Sequence, residues 1–413
     1  MLLLGMFLQT LEVYFSITRE GTKFLTSAMT KILPATLTCL LFFFLLKQQI
    51  AFCVITSLVV LLLYRFSYLQ VMKSLPMSFT LGEASIVTQA FIVFIFNCYL
   101  KLQSIDKAKS TSEELTNVLQ IGLLAVVVIT FVTYLIPVFR KSLMFYVLLV
   151  AVILGVCLIT INGQPAMMIL WNFIFNDIER VAVVGAYVVL LTAAGFAVSW
   201  QIGKNQRGTT STRKIFHILI VLVFVPGLIY QCLFLYVASV VVLAIFIVLE
   251  VARVIELYPV AEVLEKSVDA FIDEKDAGKV ALTPIYLLVG CSLPLWIHNS
   301  PCDLTGSTAF ELLPLISGVL SIGIGDTAAS IIGSKLGRNK WPGTKKSVEG
   351  TIASILAQAA FIYSLNLLGY LPLTTRLTAV SGIAVILNSL IEALTDQVDN
   401  LVLPIITYVI LAF

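Results

Sequence analysis

The sequence predicts an all-α, polytopic integral membrane helical bundle, and three observations carry this prediction. Hydrophobic residues make up 59% of the 413 residues and charged residues only 12%, whereas soluble domains carry about 25% charged residues. Apolar runs of roughly 15–22 residues recur along the whole chain, and about 20 such residues cross a bilayer as a helix. No long polar stretch separates the runs, so we expect one continuous membrane domain.

The apolar runs predict roughly twelve or thirteen transmembrane segments. Two of them, 50–64 and 401–413, are short enough to be tilted, re-entrant or interfacial. We divide the domain into an N-terminal multi-pass region, 1–200, and a C-terminal multi-pass region, 201–413, which contains the polar segments described below. The runs lie near 32–47, 50–64, 85–100, 118–138, 142–162, 180–200, 215–231, 232–252, 281–297, 312–333, 351–368, 377–391 and 401–413.

The seven cysteines show no pattern of chemical use. Six lie in apolar runs, Cys302 stands alone in a loop, and neither a CxxC nor a Cys/His pair occurs. We therefore expect buried apolar cysteines, with neither a zinc site nor a disulfide framework. The amino terminus lacks a basic leader and a clear cleavage site, so no signal peptide is predicted.

The basic residues of the loops favour one side of the membrane. If each run from 118 onward crosses once, nearly all loop Lys and Arg residues fall on one side, which the positive-inside tendency makes cytosolic. The 101–117 loop runs against this pattern. The loops on the basic side are 139–141, 201–214, 253–280, 334–350 and 392–400.

Residues 323–350, GIGDTAASIIGSKLGRNKWPGTKKSVEG, form a polar, Gly-rich and basic segment in this apolar chain. Asp326 follows about fourteen apolar residues, and an ionisable residue within the membrane is a candidate for function. The alternative is that Asp326 caps a new helix. Gly333 and Gly337 follow on the same helix face, where either a phosphate chain or a neighbouring helix could approach closely.

A predicted turn at Trp341-Pro342-Gly343 is flanked by Lys340 and by the pair Lys345–Lys346. Ammonium and backbone N–H groups at such a turn suit an oligophosphate, although basic residues at a membrane edge also serve as anchors. Glu349 suits Mg²⁺ coordination or orientation of a lysine. The segment is not a Walker A loop, because GxxxxGK[ST] does not occur.

His217 and several carboxylates are further candidates on the predicted cytosolic side. Arg213 and His217 are four residues apart and share a helix face, so Arg213 could bind phosphate and His217 could deprotonate a hydroxyl. An interfacial histidine bound to a backbone carbonyl is the alternative. Asp276 lies in an acidic loop, and Glu392, Asp396 and Asp399 follow an apolar run. These carboxylates suit either Mg²⁺ or simple solvated and helix-terminal positions.

The segment DTAASIIGSKLGRNKWPGTKKSVEG fits the pattern DxxAxxxGxxxGxxKxxxxKKTxEG, which resembles the nucleotide-binding motif of the CTP-dependent lipid kinases. Ser347 in place of Thr is the one departure. Within that group the chain resembles the dolichol kinases, through FIDEKDAGKVALTPIYLL, LIEALTDQVDNLVLP, FTLGEA at 79–84 and RKIFH at 213–217. The resemblance is strong over about 200–413 and weaker before it.

The resemblance implies transfer of the γ-phosphate of CTP to the terminal hydroxyl of dolichol in the endoplasmic reticulum membrane. The products are CDP and dolichyl phosphate, a carrier for protein glycosylation. CTP and Mg²⁺, or another divalent cation, are the expected cofactors; dolichol or polyprenol and membrane lipids are the expected partners, without nucleic acid. The expected catalytic residues are Asp326, His217 and Glu349; the nucleotide-binding residues are Arg213, Lys214, Gly333, Gly337, Arg338, Lys340, Trp341, Gly343, Thr344, Lys345, Lys346, Ser347 and Gly350; the metal ligands are Asp326, Glu349, Asp276, Asp396 and Asp399.

Three other functions compete with this one. A CTP-dependent kinase of phytol or diacylglycerol would carry the same loop, and a cytidylyltransferase would release pyrophosphate and a CDP-lipid. A secondary transporter would predict inverted repeats and charges near the bilayer midplane. We find no such repeat, and the charges gather on one side.

Overall fold

The computed structural model describes residues 1–18, 28–102, 108, 110–203, 210–271, 278–298, 302, 311–395 and 399–412. In these ranges the regular elements are helical, apart from an antiparallel pair of two-residue strands, β1 (Thr160–Ile161) and β2 (Gln164–Pro165). Helices satisfy their backbone groups internally, as a segment in lipid must. The predicted all-α, polytopic membrane class is confirmed.

The helices fall into two compact units. The first comprises Met1–Ile105 with Ala277–Val280. Its core contains Met6, Leu61 and the stacked rings of Tyr64 and Tyr68. Its helices are α1 (Leu2–Thr18), α2 (Ala28–Leu46), α3 (Ile50–Ser74) and α4 (Leu81–Leu102).

The second unit comprises Asp106–Asp276 with Ala281–Phe413. Ser347 and Thr374 begin two of its helices as N-caps, each accepting a hydrogen bond from a backbone N–H three residues later. Its elements are α5 (Thr111–Leu135), a 3₁₀ turn (Pro137–Arg140), α6 (Ser142–Leu158), α7 (Ala166–Phe175), α8 (Ile178–Gly203), α9 (Thr210–Tyr230), α10 (Cys232–Val254), α11 (Val260–Phe271), α12 (Thr283–Ile297), α13 (Leu312–Leu315), a π-helical segment (Val319–Asp326), α14 (Thr327–Leu336), α15 (Val348–Leu367), α16 (Thr375–Leu394) and α17 (Asp399–Ala412).

Eight helices in the described ranges are long and apolar enough to cross a membrane. Each of the thirteen predicted runs coincides with a helix, but in five of them the apolar stretch within the described ranges is only 10–17 residues long. The run predicted at 50–64 is part of a 25-residue helix. The eight are Ile50–Ser74, Leu81–Lys101, Thr111–Leu135, Ile178–Gln201, Cys232–Val254, Val319–Leu336, Val348–Leu367 and Thr375–Leu394.

Two apolar helices, Leu2–Phe15 and Ala166–Phe175, were not among the predicted runs. The first was missed because Gln9 and Glu12 interrupt the apolar pattern. The structure buries both side chains inside the first unit, and Glu12 pairs with Arg65 at 2.6 Å. The second is only 10 residues long, below the length at which apolar composition indicates a membrane helix.

The π-helical segment Val319–Asp326 forms the centre of the second unit. Val319, Leu320 and Ile322 are fully buried, and the segment packs against α9, α15 and α17. It continues directly into α14, and Asp326 has helical dihedral angles (φ −61°, ψ −33°) without a side-chain capping bond. The alternative in which Asp326 caps a new helix is therefore contradicted.

A disulfide joins Cys232 at the start of α10 to Cys302, with a Cα–Cα distance of 5.2 Å. The expectation that no disulfide forms is wrong at this position. The two cysteines are 70 residues apart, so the pairing depends on how the helices return to one end of the unit. Cys53, Cys98 and Cys291 are buried free thiols, as predicted.

Candidate functional site

A buried group of three ionisable side chains connects α9 to the end of the π-helical segment. Nζ of Lys214 donates a short hydrogen bond to Oδ2 of Asp326, and the two side chains are 11% and 12% exposed. Nδ1 of His217 lies 3.2 Å from the same oxygen. That nitrogen makes no aligned hydrogen bond in the described residues, so its contact with Asp326 is electrostatic. The structure thus brings three predicted site residues together.

Helix α9 turns its polar face inward. Lys214 and His217 are three residues apart and buried, whereas Ile215, Ile218 and Leu222 are exposed. Residues three and four apart lie on one helix face, so one face of α9 contacts Asp326 and the other carries apolar side chains. The buried charge of Lys214 is stabilised by the opposite charge of Asp326, which it contacts.

Residues 341–344 form a tight turn. The N–H of Thr344 donates to the carbonyl oxygen of Trp341 at 3.1 Å, and Gly343 has a positive φ of 74°. Proline at the second position and a positive-φ glycine at the third are the signature of a type II turn. The turn predicted at Trp341-Pro342-Gly343 is confirmed.

The two arms of this turn run antiparallel. Lys340 and Ser347 pair as an isolated antiparallel β-bridge. On either side of it, the N–H of Trp341 donates to the carbonyl oxygen of Lys346 at 3.0 Å, and the N–H of Val348 donates to the carbonyl oxygen of Asn339 at 2.9 Å. Nε1 of Trp341 donates to Oγ1 of Thr351 at 3.0 Å. These bonds make the 339–348 loop a short hairpin with its three lysines on one compact frame.

Gly333, Gly337 and Gly350 let α14 lie directly against the start of α15. A Cβ atom added at Gly333 would lie 2.9 Å from Oγ of Ser347, and one at Gly337 would lie 2.5 Å from the same atom. A Cβ at Gly350 would lie 2.8 Å from the carbonyl oxygen of Ala329. These glycines therefore serve helix packing, the alternative raised by their spacing, although Gly333 and Gly350 also line the pocket described next.

A pocket of about 270 Å³ lies where α14, the hairpin, the start of α15 and the end of α16 meet. It joins the carboxylate of Asp326 to three lysines, and Nζ of Lys346 donates to the carbonyl oxygen of Glu392 across it. Small-molecule sites usually occupy about 300–1,000 Å³, so the space suits the polar part of a substrate. The lining residues are Asp326, Ala329, Ser330, Gly333, Ser334, Lys340, Lys345, Lys346, Ser347, Gly350, Thr351, Glu392 and Ala393.

Several predicted site residues do not line this pocket. Lys214 and His217 contact Asp326 from α9 without lining the pocket. Glu349 is hydrogen-bonded to Asn339 at 2.9 Å. Asp276 and Asp396 lie outside the described residues, as do the side chains of Arg213 and Asp399; their predicted roles stay predictions. The others away from the lining are Gly337, Arg338, Trp341, Gly343 and Thr344.

Sequence reasoning left Ser330, Ser334 and Thr351 out of the site, and it named Glu392 only among the carboxylates that suit either Mg²⁺ or a helix end. Ser330 and Ser334 follow Asp326 at intervals of four residues, so a helix places all three on one face. That spacing was a usable signal. Glu392 had none of comparable strength, because it reaches the pocket only through the packing of α16 beside the hairpin.

The carboxylates of the pocket suit a metal ion that is shared with a phosphate ligand. Within the described ranges, no three His, Cys, Asp or Glu side chains approach closely enough to hold a metal alone. Two carboxylates, Asp326 and Glu392, line the pocket together with Lys340, Lys345 and Lys346. Mg²⁺ is commonly held by one or two carboxylates plus substrate phosphates, and this donor set fits that arrangement.

A sequence profile of a protein family, described as dolichol kinase, matches residues 3–340. The chain belongs to the dolichol kinase family. It is 34% identical over 378 residues to the dolichol kinase of Homo sapiens, covering 87% of this chain and 69% of the human one. It is 31% identical over 259 residues to dolichol kinase EVAN of Arabidopsis thaliana (60% and 43%). It is 28% identical over 247 residues to the dolichol kinase of Saccharomyces cerevisiae (59% and 44%).

This dolichol kinase family member has no match among solved structures. The family match covers the N-terminal region, where the motifs alone gave only a weaker resemblance. It ends at Lys340, so the remainder of the hairpin is characterised by its geometry and by its own residues.

Proposed function

We propose that this protein is a CTP-dependent dolichol kinase, which transfers the γ-phosphate of CTP to the terminal hydroxyl of dolichol and releases CDP. The observation that carries the proposal is the pocket where Asp326 meets Lys340, Lys345 and Lys346, in a multi-pass member of the dolichol kinase family. The product would serve protein glycosylation at the endoplasmic reticulum.

The surroundings of the pocket suit two substrates of opposite character. CTP is a polyanion in water, whereas dolichol is a long hydrocarbon in the bilayer with one hydroxyl. The hairpin offers lysines to the nucleotide. Helix α9 exposes Ile215, Ile218 and Leu222 and turns Lys214 and His217 toward Asp326. The exposed apolar side chains of α9 would contact the hydrocarbon, and the end of the same helix would bring a lipid hydroxyl to the level of Asp326.

Phosphoryl transfer depends mainly on positioning and on neutralising charge. In the proposed reaction the hydroxyl oxygen bonds to the γ-phosphorus while the bond between that phosphorus and the β–γ bridging oxygen breaks. Lys340, Lys345 and Lys346 would balance the negative charge that moves onto CDP. His217 would accept the hydroxyl proton, because the adjacent Asp326 carboxylate stabilises the imidazolium that forms.

A bound divalent cation would neutralise phosphate charge and orient the γ-phosphate. Asp326 and Glu392 are the carboxylates that would hold it together with the nucleotide, since both line the pocket. Lys214 already contacts one oxygen of Asp326, which leaves the other oxygen for the cation. Asp276, Asp396 and Asp399 remain predicted ligands.

The disulfide supports a cytosolic position for the pocket. Helix α9 runs from Lys214, beside the pocket, to Tyr230, just before Cys232. This path of about 24 Å, at 1.5 Å per residue, places the disulfide at the opposite end of the unit. Disulfides persist in oxidising compartments such as the lumen of the endoplasmic reticulum, so the basic end would face the reducing cytosol. The positive-inside pattern points the same way.

Isotope labelling of the purified protein tests the reaction. With CTP labelled at the γ-phosphate, dolichol should become labelled and CDP should appear in equal amount. Label transferred from the α-phosphate with release of pyrophosphate would instead identify a cytidylyltransferase. Phosphorylation of phytol or diacylglycerol without phosphorylation of dolichol, in parallel assays, would identify a kinase of another lipid alcohol.

The location of the site is tested by comparing two lysines. Lys346→Ala should lower kcat/KM for CTP by about 100-fold, because charge-assisted bonds to phosphate are among the strong ones. Lys335→Ala is the matched control, since Lys335 is an exposed lysine of α14 that does not line the pocket. Equal effects of the two substitutions would place the nucleotide elsewhere.

A further inference from the structure

The carboxylate of Glu349 accepts most of its hydrogen bonds from Asn339, at the base of the hairpin, with further contacts to the backbone of Arg338 and of Glu349 itself. Oε1 accepts hydrogen bonds from the backbone N–H of Asn339 at 3.0 Å and from its Nδ2 at 2.9 Å. Oε2 lies 3.2 Å from the same backbone nitrogen. Glu349 is the second residue of α15, so this contact fastens the first arm of the hairpin to the helix that follows the second arm.

We infer that Glu349 is a positioning residue, which latches the hairpin closed through Asn339 and so holds its lysines at the pocket. This inference rests on the proposed function, because it assigns the nucleotide to those lysines. Val348 donates to the carbonyl of Asn339 beside the latch. Both hydrogen-bonding groups of the Asn339 backbone, together with its side-chain amide, are therefore used at the base of the hairpin.

The geometry separates the latch from the metal role that the spacing suggested for Glu349. The carboxylates that line the pocket are Asp326 and Glu392, and Glu349 is not among the lining residues. A carboxylate has about four lone-pair sites, and Asn339 takes up both oxygens of Glu349. A latch requires only an acceptor oxygen, whereas a carboxylate that binds Mg²⁺ also contributes its negative charge.

Glutamine keeps an acceptor oxygen but lacks the negative charge, whereas alanine lacks both. Comparing Glu349→Gln with Glu349→Ala therefore separates a latch from a metal ligand. Trypsin cleavage after Lys340, Lys345 and Lys346 in the nucleotide-free, metal-free protein reports opening of the hairpin. Steady-state kinetics report KM for CTP, kcat and the Mg²⁺ concentration that gives half-maximal activity. Asn339→Ala removes the latch from its other side. Glu262→Ala is the control, because that glutamate is 65% exposed on α11 and pairs only with Lys266 among the described contacts.

Glu349→Ala should speed cleavage in the hairpin and raise KM for CTP by about tenfold, with a smaller change in kcat. Glu349→Gln should remain near wild type in both, because its amide oxygen can still accept from Asn339. Asn339→Ala should give an intermediate effect, since its backbone N–H remains. The Mg²⁺ dependence should not change in Glu349→Gln.

The inference is overturned if Glu349→Gln is as impaired as Glu349→Ala, or if it shifts the Mg²⁺ dependence while trypsin cleavage stays at the wild-type rate. Asn339→Ala keeps the test decisive if Glu349→Ala does not fold: unchanged cleavage and KM in this variant would also reject the latch. Failure of the wild-type protein to use CTP would reject the proposed function instead, because the cleavage assay needs no nucleotide.

Discussion

The contact between Lys214 and Asp326 places two formal charges in the interior of a membrane protein. Each charge alone would be costly there, and each is stabilised mainly by the other. His217 lies close enough to sense the same carboxylate. A single carboxylate thus contacts a cation and a titratable ring and also lines the pocket, so a change in either neighbour is expected to affect the pocket.

Lys214→Met is expected to destabilise the protein by about 3 kcal/mol, because it leaves the Asp326 charge buried without its partner. The double substitution Lys214→Met with Asp326→Asn should recover much of this stability without recovering activity. Thermal unfolding in detergent and kinase assays measure the two effects. Lys266→Met provides the control, since Lys266 belongs to an exposed pair. Equal melting temperatures for Lys214→Met and wild type would argue against a buried ion pair.

At the level of elements, the hairpin and the two helices beside it depend on backbones that pass close together. The Ser347 hydroxyl caps α15 by accepting from the N–H of Gly350 at 3.2 Å. The same oxygen lies where side chains on α14 would otherwise stand. The Ser347 hydroxyl therefore both caps α15 and packs against the glycines of α14. A methyl group at Gly333 or Gly337 would disturb both the cap and the packing.

Gly337→Ala should destabilise the protein by about 1–3 kcal/mol, because its Cβ would lie 2.5 Å from Oγ of Ser347. KM for CTP should rise as α14 and the hairpin separate. Gly122→Ala in α5 is the matched control, because no atom lies within 4 Å of its added Cβ. The free energy of unfolding and KM for CTP are measured for both variants. A Gly337→Ala protein that matches wild type in both would show that α14 and the hairpin can move apart freely.

The elements that the sequence predicted well are those governed by local chemistry. Apolar runs became helices because lipid requires internal backbone hydrogen bonds, and the Pro342-Gly343 pair imposes its own turn. The features it missed depend on distant residues. Lys214 and Asp326 are 112 positions apart, and Cys232 meets Cys302 only after two further helices. Glu349 was predicted as a site residue, but its hydrogen bonds to Asn339 could not be predicted, because they form only when the hairpin brings the two residues together.

On the scale of the whole molecule, the second unit has two chemically distinct ends. One end carries the hairpin and its lysines, and the other carries the disulfide. Helix α9 connects them, with Lys214 near the first and Tyr230 near the second. This polarity suits the proposed reaction, since its water-soluble donor would be available on one side of the membrane only.

The proposed orientation predicts how cysteines react in sealed microsomes. Lys345→Cys should react with an impermeant maleimide in intact vesicles, because Lys345 is exposed on the hairpin. After reduction by a permeant reagent, Cys302, which is the more exposed partner of the disulfide, should react only once the membrane is permeabilised. Mass spectrometry of the labelled peptides distinguishes the sites. The opposite order of labelling would place the pocket in the lumen.

The π-helical geometry of Val319–Asp326 also affects how relatives should be aligned. A π turn holds more residues than an α turn, so losing one residue from this segment would restore ordinary α-helix. Because the extra residue of a π turn widens the helix without turning it by a full residue, Asp326 would then keep roughly its present direction toward Lys214. A relative with a one-residue gap here would therefore still present its aspartate to the pocket, and the gap would not mark a lost site.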